Sequence, residues 1–322
     1  MAVPPEPIDL TGVAVPQPDA GAEPTGLVVL VEPGDRVHFL DWGGPPASTG
    51  APGCLLVHGL SSTAWSWTPV ARRLRNVVRT VAMDLRGHGL SDAPTSGFDP
   101  DTLADDVVAV AEGSGLIGWP GAPDAPEQLV LAGHGFGAIV AAWAAAALGR
   151  RCAGLVLVDG GFEDFRATTG MEPDEFLRGL DEPPEVLGSL DAFLDDRRGF
   201  DPATWDDDQE RAARATIVET AAGRVVSTTR PHVVAACVAA MFEYRPAEIL
   251  ARVVAPIAVL LAAEDEEGTR AKSLADVDDA LRDAGRPPFG IARFPSVGHN
   301  LMRYRSVEVT ATILGVAVGA TS

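Results

Sequence analysis

Leu129-Val130-Leu131-Ala132-Gly133-His134-Gly135-Phe136-Gly137-Ala138-Ile139-Val140-Ala141-Ala142 decides the reading of this chain. A short apolar run enters a turn with glycine at its first, third and fifth positions. An alanine-rich helix follows, its small side chains suited to close packing on a sheet. The same alternation extends on both sides. Upstream, residues 54–57 read as a buried strand that ends in His58-Gly59-Leu60-Ser61-Ser62. A helix over 67–75, a strand over 77–83 and a helix over 101–112, with Asp99 or Asp101 as its N-cap, complete that half. Downstream come a helix over 138–148, a strand over 154–159, and, after a long break, a strand over 257–261, a helix over 269–284, a strand over 290–294 and a last helix over 304–318. Two further runs, 27–31 and 36–42, flank Pro33-Gly34-Asp35 and fit a hairpin at a sheet edge. Strands alternating with helices predict an α/β fold with a mostly parallel central sheet and helices on both faces.

Three segments stand outside the alternation. Residues 1–25 carry six prolines among small and acidic residues and read as a flexible arm. Residues 26–159 and 246–322 form the α/β core. Residues 160–245, rich in Asp, Glu, Pro and Arg, are expected to add helical pieces over 189–196, 207–219 and 232–244.

Composition narrows the function. The chain has 322 residues, 46% of them hydrophobic, enough for a large folded core. Its 25 Lys and Arg face 45 Asp and Glu, a net charge of −20. Such a surface repels phosphate backbones and anionic lipid, so neither nucleic acid nor a membrane is an expected partner. Cys54, Cys152 and Cys237 are odd in number and lack metal or redox spacing, which fits free thiols. No basic residue precedes an apolar stretch near residue 1, and no run approaches the roughly 20 apolar residues of a transmembrane helix. A cytoplasmic location is the expectation. Neither a GxGxxG nor a Walker loop appears, and no metal-spaced cluster either, so no cofactor is implied.

The turn at 133–137 is similar to the nucleophile elbow of the α/β-hydrolase family, Gly-x-Ser-x-Gly, with Gly135 where the serine stands. Asp84-Leu85-Arg86-Gly87-His88-Gly89-Leu90-Ser91-Asp92 resembles a second segment of that family, and His58-Gly59 resembles the pair that closes its oxyanion strand. The resemblance covers nearly the whole chain after residue 25. It implies an α/β-hydrolase fold with residues 160–245 as a helical cap over the site. Phe162, Phe165, Phe176, Met241 and Phe242 are cap residues whose facing cannot be read from spacing. It implies a dyad of His299, in Gly298-His299-Asn300-Leu301, with Asp265, although Glu264 and Glu266 flank that aspartate and Asp159 also ends a core strand. It implies an oxyanion hole made by the backbone N–H groups of Leu60 and Phe136. His58, His88 and Asp92 are read as loop architecture, and His134 as packing.

Glycine at 135 has no hydroxyl, so no acyl-enzyme forms there. Neither Ser61 nor Ser62 is aimed at His299 by anything in the sequence. The expected function is therefore that of an α/β-hydrolase-family enzyme acting on a small neutral or apolar carbonyl or ester-type substrate. The dyad would activate water or remove a substrate proton, giving hydrolysis, elimination or carbon–carbon cleavage. The alternatives are a catalytically silent small-molecule-binding member, or a serine-to-glycine variant of an ordinary serine esterase.

Overall fold

The computed structural model describes residues 7–10, 12–45, 51–119, 126–180, 188–263 and 268–319. Among the described residues ten strands follow in chain order: β1 (Thr25–Val31), β2 (Asp35–Gly43), β3 (Gly53–Val57), β4 (Thr80–Met83), β5 (Leu129–His134), β6 (Cys152–Val158), β7 (Ile217–Glu219), β8 (Val225–Ser227), β9 (Ile257–Ala262) and β10 (Gly290–Phe294). Eight of them build one sheet in the order β1-β2-β4-β3-β5-β6-β9-β10. From β4 to β10 every pairing is parallel, while β2 runs antiparallel to both β1 and β4. This is an α/β-hydrolase fold. The expected hairpin sits at the sheet edge.

Both faces of the central strands are covered, which explains their continuous apolar runs. In β3, Leu55 and Val57 enter the core beneath helices Pro100–Gly113 and Phe136–Leu148. Cys54 and Leu56 point the other way, into a second core with Trp67, Val70, Val309 and Ile313. Alternation along a strand sends neighbours to opposite faces, so one five-residue strand serves both layers. Asp99 caps the helix Pro100–Gly113 by accepting from the Thr102 N–H. The three cysteines are buried and free, and burial pushes the Cys152 thiol up to about 12.

Residues expected as a loose arm lie against the core in part. The Ile8 N–H donates to the Ile291 carbonyl, and Asp19 pairs with Arg75. Glu23 meets both Arg72 and Arg211. The long segment after β6 contains helices Phe165–Thr169, Pro173–Gly179, Leu190–Phe200, Asp207–Ala215 and Pro231–Glu243. The helix expected over 207–219 stops at Ala215, because Ile217–Glu219 pairs with Val225–Ser227 as a small hairpin. No helix among the described residues is long and apolar enough to cross a membrane.

The loop after β4 carries a fully buried ion pair. Arg86 donates from Nε and Nη2 to the two oxygens of Asp106, at 2.6 Å each. Both side chains are 2% exposed. Removing one partner of such a pair leaves an uncompensated charge, which costs about 3–5 kcal/mol. Arg86→Met is therefore expected to lower unfolding free energy by about that amount in urea titrations, and Arg86→Met with Asp106→Leu to recover most of it. A single variant within 1 kcal/mol of the parent would contradict the importance of this pair.

Candidate active site

The site lies at the carboxyl ends of β3, β5, β6 and β9, where parallel strands of open α/β sheets gather their loops. β5 stops at His134, Gly135 turns, and the helix Phe136–Leu148 begins at once. Gly135 has φ 53° and ψ −118°, a backbone that glycine adopts without the Cβ penalty. Its N–H donates to the Val158 carbonyl at 3.1 Å, tying the turn to the end of β6. A Cβ on Gly137 would stand 2.2 Å from the His58 carbonyl oxygen, so the turn and the loop after β3 approach closely only with glycine there.

His299 reaches this turn from the loop after β10. A Cβ built on Gly135 would stand 3.2 Å from its Nε2. On the other side of the ring, Nδ1 lies 2.5 Å from Asp159 Oδ2. The residue expected to hold His299, Asp265, lies outside the described residues, and the carboxylate on Nδ1 belongs to Asp159. Its position has a backbone cause. Asp159 directly follows β6 with φ 47°, a left-handed conformation that costs a non-glycine residue about 1–3 kcal/mol. Its other oxygen, Oδ1, accepts from the Ala262 N–H at 2.8 Å and from Arg270 Nη2 at 2.5 Å. Burial alone would raise the Asp159 carboxyl. The His299 hydrogen bond and the Arg270 charge outweigh it and hold the group below the usual carboxylate range.

Arg270 escaped the sequence reading. It stands in the first turn of the helix Thr269–Asp283, donates from Nη1 to the Ala262 carbonyl at 2.6 Å, and lies over the Phe162 ring. Glu163 Oε1 is 3.6 Å from its Nε. An arginine in that turn reads as surface until the fold shows the strand end beside it.

His134 packs against His299, ring centroids 4.3 Å apart and planes tilted by 43°, and its Nε2 is 3.0 Å from the His299 carbonyl oxygen. That contact requires the proton on Nε2. Nδ1 is buried with no hydrogen-bond partner. His58 is architectural: its Nε2 accepts from the Leu85 N–H at 3.0 Å, so its Nδ1–H donates to the Gly59 carbonyl at 2.7 Å and shapes the loop carrying Leu60. His88 bonds the Arg86 carbonyl, and Asp92 pairs with Arg36 at the surface. The two do not form a dyad.

Leu60, Gly135, Phe136, Asp159, His299 and Arg270 line a cavity of about 400 Å³. The Phe136 N–H belongs to the first helical turn, where no acceptor exists within the helix. Phe165 and Met241 also line it. Of the other aromatic candidates, Phe162 is fully buried, and Phe176 and Phe242 pack on Phe165 from behind. No group of three or more potential metal ligands occurs among the described residues.

Residues 54–312 match the Alpha/beta hydrolase family, and the chain belongs to it. It is 37% identical over 84 residues to 2-(acetamidomethylene)succinate hydrolase of Mesorhizobium japonicum, covering 26% of this chain and 27% of that protein. It is 35% identical over 127 residues to N-formylmaleamate deformylase of Pseudomonas putida, covering 39% and 42%. The matches thus span less than half the length of these relatives. The crystal structure of E-2-(acetamidomethylene)succinate hydrolase superposes with a TM-score of 0.72 over 92% of this chain and 99% of the other, at 18% identity.

Burial lowers the His134 imidazole to about 3, with the neighbouring His299 adding to the effect, and lowers His88 to about 3. An unfolded histidine titrates near 6.5. Between those values the unfolded chain binds protons that the folded chain refuses, so stability falls as pH falls below about 6.5. Each histidine contributes a loss of up to about 1.4 kcal/mol per pH unit. Urea midpoints at pH 7 and pH 5 are expected to show this loss, and His88→Gln to reduce it. An identical loss in the variant would contradict it.

Proposed function

We propose that this chain is a hydrolytic enzyme in which His299 activates water directly against a carbonyl carbon, with no covalent serine intermediate. The observation that carries this reading is the approach of Gly135 to His299. The place where a side chain would begin is 3.2 Å from Nε2, so a water there lies within reach of the base. Asp159 accepts from Nδ1–H, which leaves the Nε2 lone pair turned towards the substrate. Asp159, rather than Asp265, is then the acid of the dyad.

The chemistry balances without a further group. The substrate carbonyl oxygen sits against the N–H groups of Leu60 and Phe136. Water attacks the carbonyl carbon as Nε2 takes its proton, and the oxyanion is held by the two amides. The imidazolium, stabilised by Asp159, returns the proton to the leaving atom as its bond to carbon breaks. The apolar wall of Leu60, Phe136, Phe165 and Met241 favours a small apolar acyl half. Hydrolases, a deformylase among them, are among the relatives that the chain matches, which supports water as the co-substrate. The strained φ of Asp159 favours an enzyme over a silent binding member, since a binding site gains nothing from holding a carboxylate on an imidazole at that cost.

The test is a panel of aryl esters offered to the chain itself, Gly135→Ser, His299→Ala, Asp159→Asn and Asp265→Asn. The chain and Asp265→Asn are expected to turn over. His299→Ala and Asp159→Asn are expected to lose about 10²–10⁴-fold in kcat/KM. Turnover unchanged in His299→Ala would refute a working base. Loss in Asp265→Asn with none in Asp159→Asn would assign the acid to Asp265.

A further inference from the structure

A second cavity of about 520 Å³ also borders His299. Ser62, His134 and His299 line both cavities, so the two are lobes of one bent cleft with the imidazole at the bend. Side-chain exposure of 61% is consistent with a ring that faces both. The second lobe differs from the first in chemistry. Phe193, Trp205 and Tyr304 give it an aromatic wall, Ile217 adds an aliphatic side chain, and Phe200, 85% exposed, also lines it. A large apolar ring left this open gains when a ligand covers it.

Charge separates the lobe from the rest of the molecule. Acidic residues outnumber basic ones 45 to 25 in the chain, yet among the described residues lining this lobe are two arginines and no Asp or Glu. Arg303 is fixed in place, donating from Nε to Thr204 Oγ1 at 2.7 Å and from Nη2 to the Asp201 carbonyl at 2.8 Å. The nearby Asp201 carboxylate accepts from the Thr204 hydroxyl and the Ala203 N–H and also feels the Arg303 charge, which it offsets in part, so Arg197 is the less compensated cation of the lobe. Arg197 lies over the Phe193 ring, and its 3.3 Å pairing with Asp196 is a solvent-exposed contact, the kind worth about 0–1 kcal/mol and readily exchanged for a ligand. Aromatic faces beside arginines, inside a strongly anionic protein, select a planar anion.

We propose that the second lobe binds an aromatic carboxylate, which forms the leaving half of the substrate while the small acyl half occupies the lobe beside Gly135. The class is an ester or amide whose alcohol or amine portion carries an aryl acid. This inference rests on the hydrolytic reading only for the word leaving; the binding of an aromatic acid stands apart from it. The anionic half is a departure from the neutral substrate that the sequence suggested.

The test is calorimetric titration of the His299→Ala protein, which cannot use its base, with 2-naphthylacetate and its uncharged isostere 2-naphthylacetamide. The acid is expected to bind about tenfold more tightly, and Arg197→Gln in the same background to remove most of that preference. Arg303→Gln also breaks the contacts to Thr204 and Asp201, so Arg303→Lys, which keeps the charge, serves as its control and is expected to retain part of the preference. Trp205→Ala is expected to weaken acid and amide alike. Equal affinity for the two ligands, no binding of either below millimolar concentration, or a preference unchanged in Arg197→Gln with Arg303→Gln would overturn the proposal. Acid binding without ester turnover by the unmodified chain would sink the hydrolytic reading and leave this one standing. Turnover of neutral esters with no acid preference would do the reverse.

Discussion

The contact between His299 and Asp159 fixes everything else about the site. It requires the loop after β10 to cross over the end of β6, and it requires Asp159 to leave that strand with a positive φ. The carboxylate is held on both sides. Its second oxygen takes an N–H from the end of β9 and the guanidinium of Arg270, so it has little freedom to rotate away from the imidazole. Arg270 has two opposed effects on the dyad. It keeps Asp159 ionised, and it competes with the imidazolium for the same negative charge.

The turn at Gly135 is the second constraint. In a chain with a hydroxyl at this position the base would act on a side chain. Glycine keeps the geometry of the turn and withdraws the side chain, while the backbone donors at Leu60 and Phe136 depend on loop shape alone. The loop shape is secured independently, by His58 bridging Leu85 and Gly59, and by the glycine at 137 that admits the loop after β3 to the turn. In the proposed reaction, oxyanion stabilisation and general-base chemistry therefore rest on parts of the fold that the residue at position 135 does not determine.

Much of this was legible in the residues. The apolar run 129–134, the glycines of the turn and the small side chains after it dictated strand, turn and helix, and the alternation around them dictated the sheet. His299 was legible because a Gly-His-Asn loop follows the last strand. The acid was harder. β6 and β9 are neighbours in the sheet, so a carboxylate after either arrives at the same edge, and chain order does not say which one meets the imidazole. The structure puts Asp159, at positive φ, on the His299 Nδ1, a geometry that leaves no trace in the sequence, while Asp265 lies outside the described residues. Arg270 had no signal either, since an arginine in a first helical turn resembles any surface residue. The second lobe is assembled from Phe193, Trp205, Arg303 and Tyr304, residues more than a hundred positions apart at the extremes, whose convergence depends on how the segment after β6 folds back over the sheet. The hairpin of β7 and β8 was missed because three-residue strands are too short to show a period.

In the proposed reaction water, not a side chain, attacks the carbonyl above Gly135. The most direct test mixes excess enzyme with a slowly hydrolysed aryl ester, quenches in acid at intervals through the first turnover, and records the intact mass of the protein. Product is expected to form with the protein mass unchanged at every time. An acyl adduct that forms and decays at the rate of turnover, on Ser61, Ser62 or any other residue, would contradict it.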